Sequence, residues 1–135
     1  MTFEAIRPGL RGELSLVVAE EHTARHLGSG GVRVLATPQM ILLVERAGVA
    51  ATDHLLPEGY LTVGAHLDVR HLAPTPVGFK VRAVAELVEV DDRRLSFRVT
   101  VHDGIELVGE GRHERYIVDL ARFGRRVAEK EADRA

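Results

Sequence analysis

The chain has 135 residues, enough for one compact domain with a real but modest core. A hydrophobic fraction of 45% and a charged fraction of 28% are ordinary for a globular protein, and a formal net charge of -2, with both signs spread along the chain, excludes the basic stripe of a nucleic-acid binder. The absence of cysteine removes disulfides, thiolate nucleophiles and zinc-thiolate sites together, and it fits a reducing cytoplasm.

The opening stretch MTFEAIRPGLRGE has no apolar signal core, and no apolar run reaches the roughly 20 residues of a membrane span. The expectation is a soluble cytoplasmic protein with no membrane partner. Residues 13–20, ELSLVVAE, alternate Leu14, Leu16 and Val18 with polar or small neighbours, as a half-buried strand does. GSGG at 28–31 is a flexible break, and a short extended piece, Val32 to Leu35, follows it. Ala36-Thr37-Pro38 reads as a helix start, with Thr37 as the cap and Pro38 in the first turn. From Pro38 to about His54 the apolar residues point in nearly every direction around a helix, interrupted by Gln39, Glu45 and Arg46. A helix apolar all round is a buried one. After the turn at Pro57-Glu58-Gly59 come four strand-like stretches, Tyr60 to Leu72, Phe79 to Val90, Arg94 to His102 and Ile105 to Val118. In the second of these Val81, Ala83, Ala85, Leu87 and Glu89 share one face. Asp91-Asp92 and Asp103-Gly104 supply hairpin turns, and a charged helix starts near Leu120. Its Arg122, Arg125 and Arg126 are followed by Glu129 and Glu131 and read as a solvated face.

A strand, a buried helix and a four-strand meander predict an α+β domain over residues 1–135. An antiparallel sheet would wrap the central helix, and a C-terminal helix would close the chain. This is the hotdog arrangement, and a second copy could cover what one sheet leaves open.

Glu45 is the residue that most needs a reason, because a carboxylate on a buried helix is costly unless it is paired. It is a candidate general base or nucleophile, or else a helix-face glutamate paired with Arg46 or pointing to solvent at a dimer seam. Thr37 heads the same helix, either as a plain cap or beside donors that favour an oxyanion. Eight residues of helix is about 12 Å, so the two side chains of one helix cannot bond each other. They flank a substrate, or a second subunit supplies the missing partner. His71 ends a strand. His66 lies five positions earlier and so faces the other way in a regular strand, and His22 and His26 have helical spacing but no third ligand. No metal is expected. In His113-Glu114-Arg115, His113 and Arg115 share a face, and the first two read as cross-strand charge pairing. No phosphate loop, nucleophile elbow or dinucleotide fingerprint is present.

The stretches RRLSFRVTVHDGIELVGEGRHERYIVDLARF, 93–123, and GAHLDVRHLAPTPVG, 64–78, resemble the fluoroacetyl-CoA thioesterase-like branch of the hotdog fold, over about residues 12–127. The resemblance implies a dimeric thioesterase with its site at the subunit interface and Thr37, Glu45 and His71 as catalytic residues. It also implies that the backbone of Gly64 and the side chain of Arg115 support the reacting carbonyl or the glutamate. Coenzyme A enters only as part of the substrate, and no other cofactor is implied. Fluoroacetyl-selective members carry a Phe-containing lid between the first strand and the helix. Residues 22–37 here, HTARHLGSGGVRVLAT, contain no Phe, Tyr or Trp, so a plain short-chain acyl-CoA or similar thioester is expected. The alternative is a non-catalytic protein binding acyl-CoA or another small ligand on the same fold. A hotdog hydratase would need an Asp and His pair in a loop spacing that the sequence does not show, and a dimeric scaffold with no site is a further alternative.

Overall fold

The computed structural model describes residues 3–134, so Met1, Thr2 and Ala135 of the expected domain lie outside the described residues. Five strands form one antiparallel sheet: β1 (Arg11–Val17), β2 (Tyr60–His71), β3 (Lys80–Asp91), β4 (Arg94–His102) and β5 (Leu107–Asp119). The helices are the single turn α1 (Ala24–Leu27), the central α2 (Thr37–Thr52) and the C-terminal α3 (Leu120–Ala132).

Strict alternation makes the sheet one-sided. Val81, Ala83, Ala85 and Leu87 of β3 and Leu95, Phe97, Val99 and Val101 of β4 are all fully buried. The side of α2 formed by Met40, Leu43, Val44, Ala47 and Ala51 closes onto them. Each large side chain so buried contributes roughly 1.5–3 kcal/mol.

Three expectations need correction. The four later strands are not a single meander: the order across the sheet is β1-β3-β4-β5-β2, so β3 to β5 meander while β2 crosses to the far edge beside β5. A parallel or crossed placement is invisible to periodicity, which reports faces and not neighbours. The helix is not buried all round in the single chain, because Leu42 and Val49, on its side away from the sheet, are 46% and 38% exposed. Glu89 leaves the core face because the β3–β4 register shifts between Leu87 and Glu89, and its carboxylate meets Arg94 at 3.3 Å instead. A bulge inverts the alternation beyond it.

β1 lies against α2 at closest range over Gly12. A Cβ there would run into the carbonyl oxygen of Ala47 and stand 2.5 Å from the amide nitrogen of Ala51. Backbone cannot yield as a flexible side chain does, so Gly12→Ala is expected to cost about 1–3 kcal/mol. Thermal unfolding monitored by circular dichroism should show Tm lowered by about 3–12 °C. An unchanged Tm would mean that the strand and helix are not clamped here.

Candidate active site

Thr37 is not the cap of α2. Ala36 takes that place without a side-chain hydrogen bond, and Thr37 is the first helical residue. The amides of Gln39 and Met40 both donate to the Ala36 carbonyl, and Pro38 has no N–H, so among the described residues the Thr37 amide is the donor left free at the helix start. The Thr37 hydroxyl is therefore spared for another task. Its Oγ1 lies 2.7 Å from Nδ1 of His71, at the end of β2. Burial holds the His71 pKa below its ordinary 6.5, opposed more weakly by the backbone of Ala73. The ring is then neutral near pH 7, and Nδ1 can accept the threonine proton. The other ring nitrogen, Nε2, is buried with no hydrogen-bond partner among the described residues. The pair opens on a groove of about 370 Å³ walled by Val32, Leu35, Leu72 and Ala73. Ser29 and Gly30, from the segment between β1 and α2, edge the same groove.

Two turns further along α2, Glu45 points toward β2 and β5. Its carboxylate lies 3.7 Å from Nη1 of Arg115, and its side chain is 35% exposed in the single chain. Arg46 is thus not its partner. Gly64 makes the approach possible: a Cβ there would stand 2.5 Å from Glu45 Oε2 and 3.4 Å from Arg115 Nη1. Arg115, only 5% exposed, is held from behind. Its Nε donates to Thr62 Oγ1 at 2.8 Å and its Nη2 to the Thr62 carbonyl at 3.1 Å. Thr62 Oγ1 in turn donates to Asp53 Oδ1 at 2.7 Å.

His113 departs from the expected charge pairing. It is fully buried, 3.1 Å from Arg115 Nη1 through Nε2 and 2.9 Å from the His66 carbonyl through Nδ1. Glu114 instead pairs with Arg94 at 3.4 Å. The sequence did hold a signal for His113: it alternates in phase with Arg115 and Ile117, which places it on the apolar face. His66 itself sits outside the site, exposed and opposite Glu114, past a register shift between Gly64 and His66. His22 accepts the Ala19 amide at 2.8 Å and so closes a turn. Among the described residues no group of three His, Asp or Glu side chains could hold a metal.

The two clusters stand apart along the seam between α2 and β2, with Thr37 and His71 at one end and Glu45, Gly64 and Arg115 toward the other. The profile of the fluoroacetyl-CoA-specific thioesterase family matches residues 18–121. The chain belongs to this family. It is 38% identical to a fluoroacetyl-CoA thioesterase of Streptantibioticus cattleyicolor, over 94% of this chain and 96% of that one. A solved threonine-to-serine mutant of a fluoroacetyl-CoA thioesterase in complex with acetyl-CoA superposes with a TM-score of 0.86 at 37% identity, covering 93% of this chain and 98% of that one. A hot-dog-like protein from Thermanaerovibrio acidaminovorans reaches a TM-score of 0.88 at 25% identity, covering 96% and 97%. The sheet wrapped on one long helix is thus a hotdog fold. No helix among the described residues is long and apolar enough to cross a membrane.

Proposed function

We propose that the protein is a thioesterase that hydrolyses short-chain acyl-CoA at a site completed by a second copy of the chain. The observation that carries this reading is the Thr37 hydroxyl, released from capping and set 2.7 Å from a neutral His71 at the mouth of a small groove. Family membership names the chemistry, and the groove sets the size of the acyl group. Glu45 takes a proton from water as its oxygen attacks the thioester carbonyl carbon. The oxyanion is met by the Thr37 amide and by the backbone of Gly64. As the carbon–sulfur bond breaks, the proton that Glu45 took from water is passed on by the His71–Thr37 pair to the leaving sulfur, which restores the Glu45 carboxylate, and the products are a carboxylic acid and free coenzyme A. Arg115 holds the Glu45 carboxylate in place by its charge. No metal or further cofactor is needed for these steps.

A second copy brings the clusters together. β2 is a 12-residue edge strand with Gly64 to Asp68 exposed, and it is hydrogen-bonded on one side only. Such an edge invites pairing. If β2 pairs antiparallel with itself about a dyad at residue 68, with the bulge between Gly64 and His66 counted as one ladder step, the partner's position 71 falls opposite Gly64. Gly64 and His71 face the same side, opposite Arg115 and Gly109 of one unbroken stretch of β5. Thr37 and His71 of one copy would then meet Glu45 and Arg115 of the other. Exposed Leu42, Val49 and Leu67 supply apolar surface for the contact. Light scattering at micromolar concentration should find a dimer, and an active monomer would overturn the shared site.

The segment between β1 and α2 lines the groove with Ser29, Gly30 and Val32 and no aromatic ring, so a fluorinated acyl group gains no special contact. Thiol release from acetyl-, fluoroacetyl- and butyryl-CoA should give kcat/KM values within about tenfold of one another, the scale of a methylene or two in a loose pocket. A preference for fluoroacetyl above a hundredfold would contradict this reading of the groove. Tight binding with no turnover of any member would favour the non-catalytic alternative.

A further inference from the structure

We infer that His113 is a positioning residue for the reaction: as the Nδ1–H tautomer it accepts a hydrogen bond from Arg115 and so aims the guanidinium at Glu45. This inference rests on the thioesterase reading above. The tautomer follows from the partners. The His66 carbonyl, 2.9 Å from Nδ1, can only accept, so Nδ1 carries the proton. Nε2 is then a bare lone pair, and Arg115 Nη1, which can only donate, lies 3.1 Å from it. Arg115 Nε and one N–H of Nη2 bond Thr62, which Asp53 anchors, and Nη1 is the arm that faces Glu45 and His113. The ring is packed tightly: it stacks on Phe97 of β4 with centroids 6.2 Å apart, and a Cβ on Gly48 of α2 would touch both His113 and Arg115.

The geometry implies a specific response to acid. Protonating His113 destroys the acceptor and places an imidazolium directly against a guanidinium. The charged groups around the ring are Arg115 and Glu114 on β5 and Glu45 on α2, while β2 presents the His66 carbonyl and β4 the uncharged Phe97 ring. Burial and Arg115 push the pKa of His113 below 6.5, against the smaller pull of the His66 carbonyl and the two carboxylates. The ring is therefore neutral at pH 7, and the frame is lost only as the pH falls below 6.5 and through that lowered value. Activity should fall with it.

The test combines a spectroscopic and a kinetic readout on the full chain. Long-range 1H–15N NMR of the imidazoles, followed from pH 8 to pH 5, should show His113 as the Nδ1–H form, and kcat for acetyl-CoA should fall in step with its protonation. His113→Gln offers Arg115 an oxygen that does not protonate. It should keep kcat within about fivefold of wild type at pH 8 and lose the part of the acid limb that tracks His113 protonation, leaving the part that tracks His71, with KM little changed. His113→Leu should fold, by circular dichroism, yet lose tenfold or more in kcat at every pH. A His113 found as the Nε2–H form, or a wild-type kcat that holds level while the NMR signal reports His113 protonation, would overturn the inference. If His113→Leu fails to fold, the tautomer and the Gln profile still decide. Absence of turnover in the wild type, with the tautomer as stated, would count against the thioesterase reading and leave the frame itself standing.

Discussion

Glu45→Gln is expected to lower kcat for acetyl-CoA hydrolysis by roughly a thousandfold, within the 10²–10⁴ range of a lost general base. Glutamine keeps the size of the side chain and an oxygen for Arg115 Nη1, now 3.7 Å from the carboxylate. What it lacks is a group that takes a proton from water. Substrate binding should survive, so the loss should fall on kcat with KM changed only a few-fold. The fold should survive too, because Arg115 remains tied to Thr62 and, through it, to Asp53. Steady-state kinetics and a thermal melt on the same preparation check both halves. Activity within tenfold of wild type would show that Glu45 is only the counter-charge of Arg115.

The second large effect belongs to the pair at the other end of the seam. His71→Ala should lose about 10²–10³ in kcat, as should Thr37→Ala, the scale of one lost donor or proton carrier. Thr37→Ser keeps the hydroxyl at 2.7 Å reach of Nδ1 and should lose less than about tenfold. Because the two side chains act as one unit, the double variant should be scarcely worse than either single one. Multiplicative losses would mean that Thr37 and His71 act independently and that their hydrogen bond is incidental.

The helix and strands were legible because their chemistry is periodic. β4 runs from Arg94 to His102 as its alternation says, and the Asp103-Gly104 turn closes with the amides of Ile105 and Glu106 on the Asp103 carboxylate. Glu45 was legible as a charge on an apolar helix, although its partner, Arg115, lies 70 positions away in the chain and no local pattern connects them. The place of β2 at the far edge was hidden for the same reason. Neighbours in a sheet are chosen by long-range packing, and the alternation of Val63, Leu67 and Val69 would suit a central strand equally well. Thr37 misled by resembling a cap. A Thr-Pro pair at a helix start satisfies the local rule, and only the helix beginning one residue earlier frees the hydroxyl for His71. His113 looked like surface charge because its two sequence neighbours are charged, yet its phase with Ile117 puts it inside. The Thr37, Glu45, His71, Gly64 and Arg115 set came as a whole from the family resemblance, since residue chemistry alone singled out only Glu45 strongly.

The most direct measurement is subunit complementation between Glu45→Gln and His71→Ala, each inactive alone. The two variants are unfolded together, refolded as a mixture and assayed for coenzyme A release from acetyl-CoA. If each site takes Glu45 from one copy and Thr37 with His71 from the other, every mixed dimer contains one intact site. A statistical mixture of two chains in a C₂ dimer should then regain about a quarter of wild-type activity. If a site lies within one chain, no mixed dimer has an intact site, and a mixture as inactive as its parents would contradict the shared site.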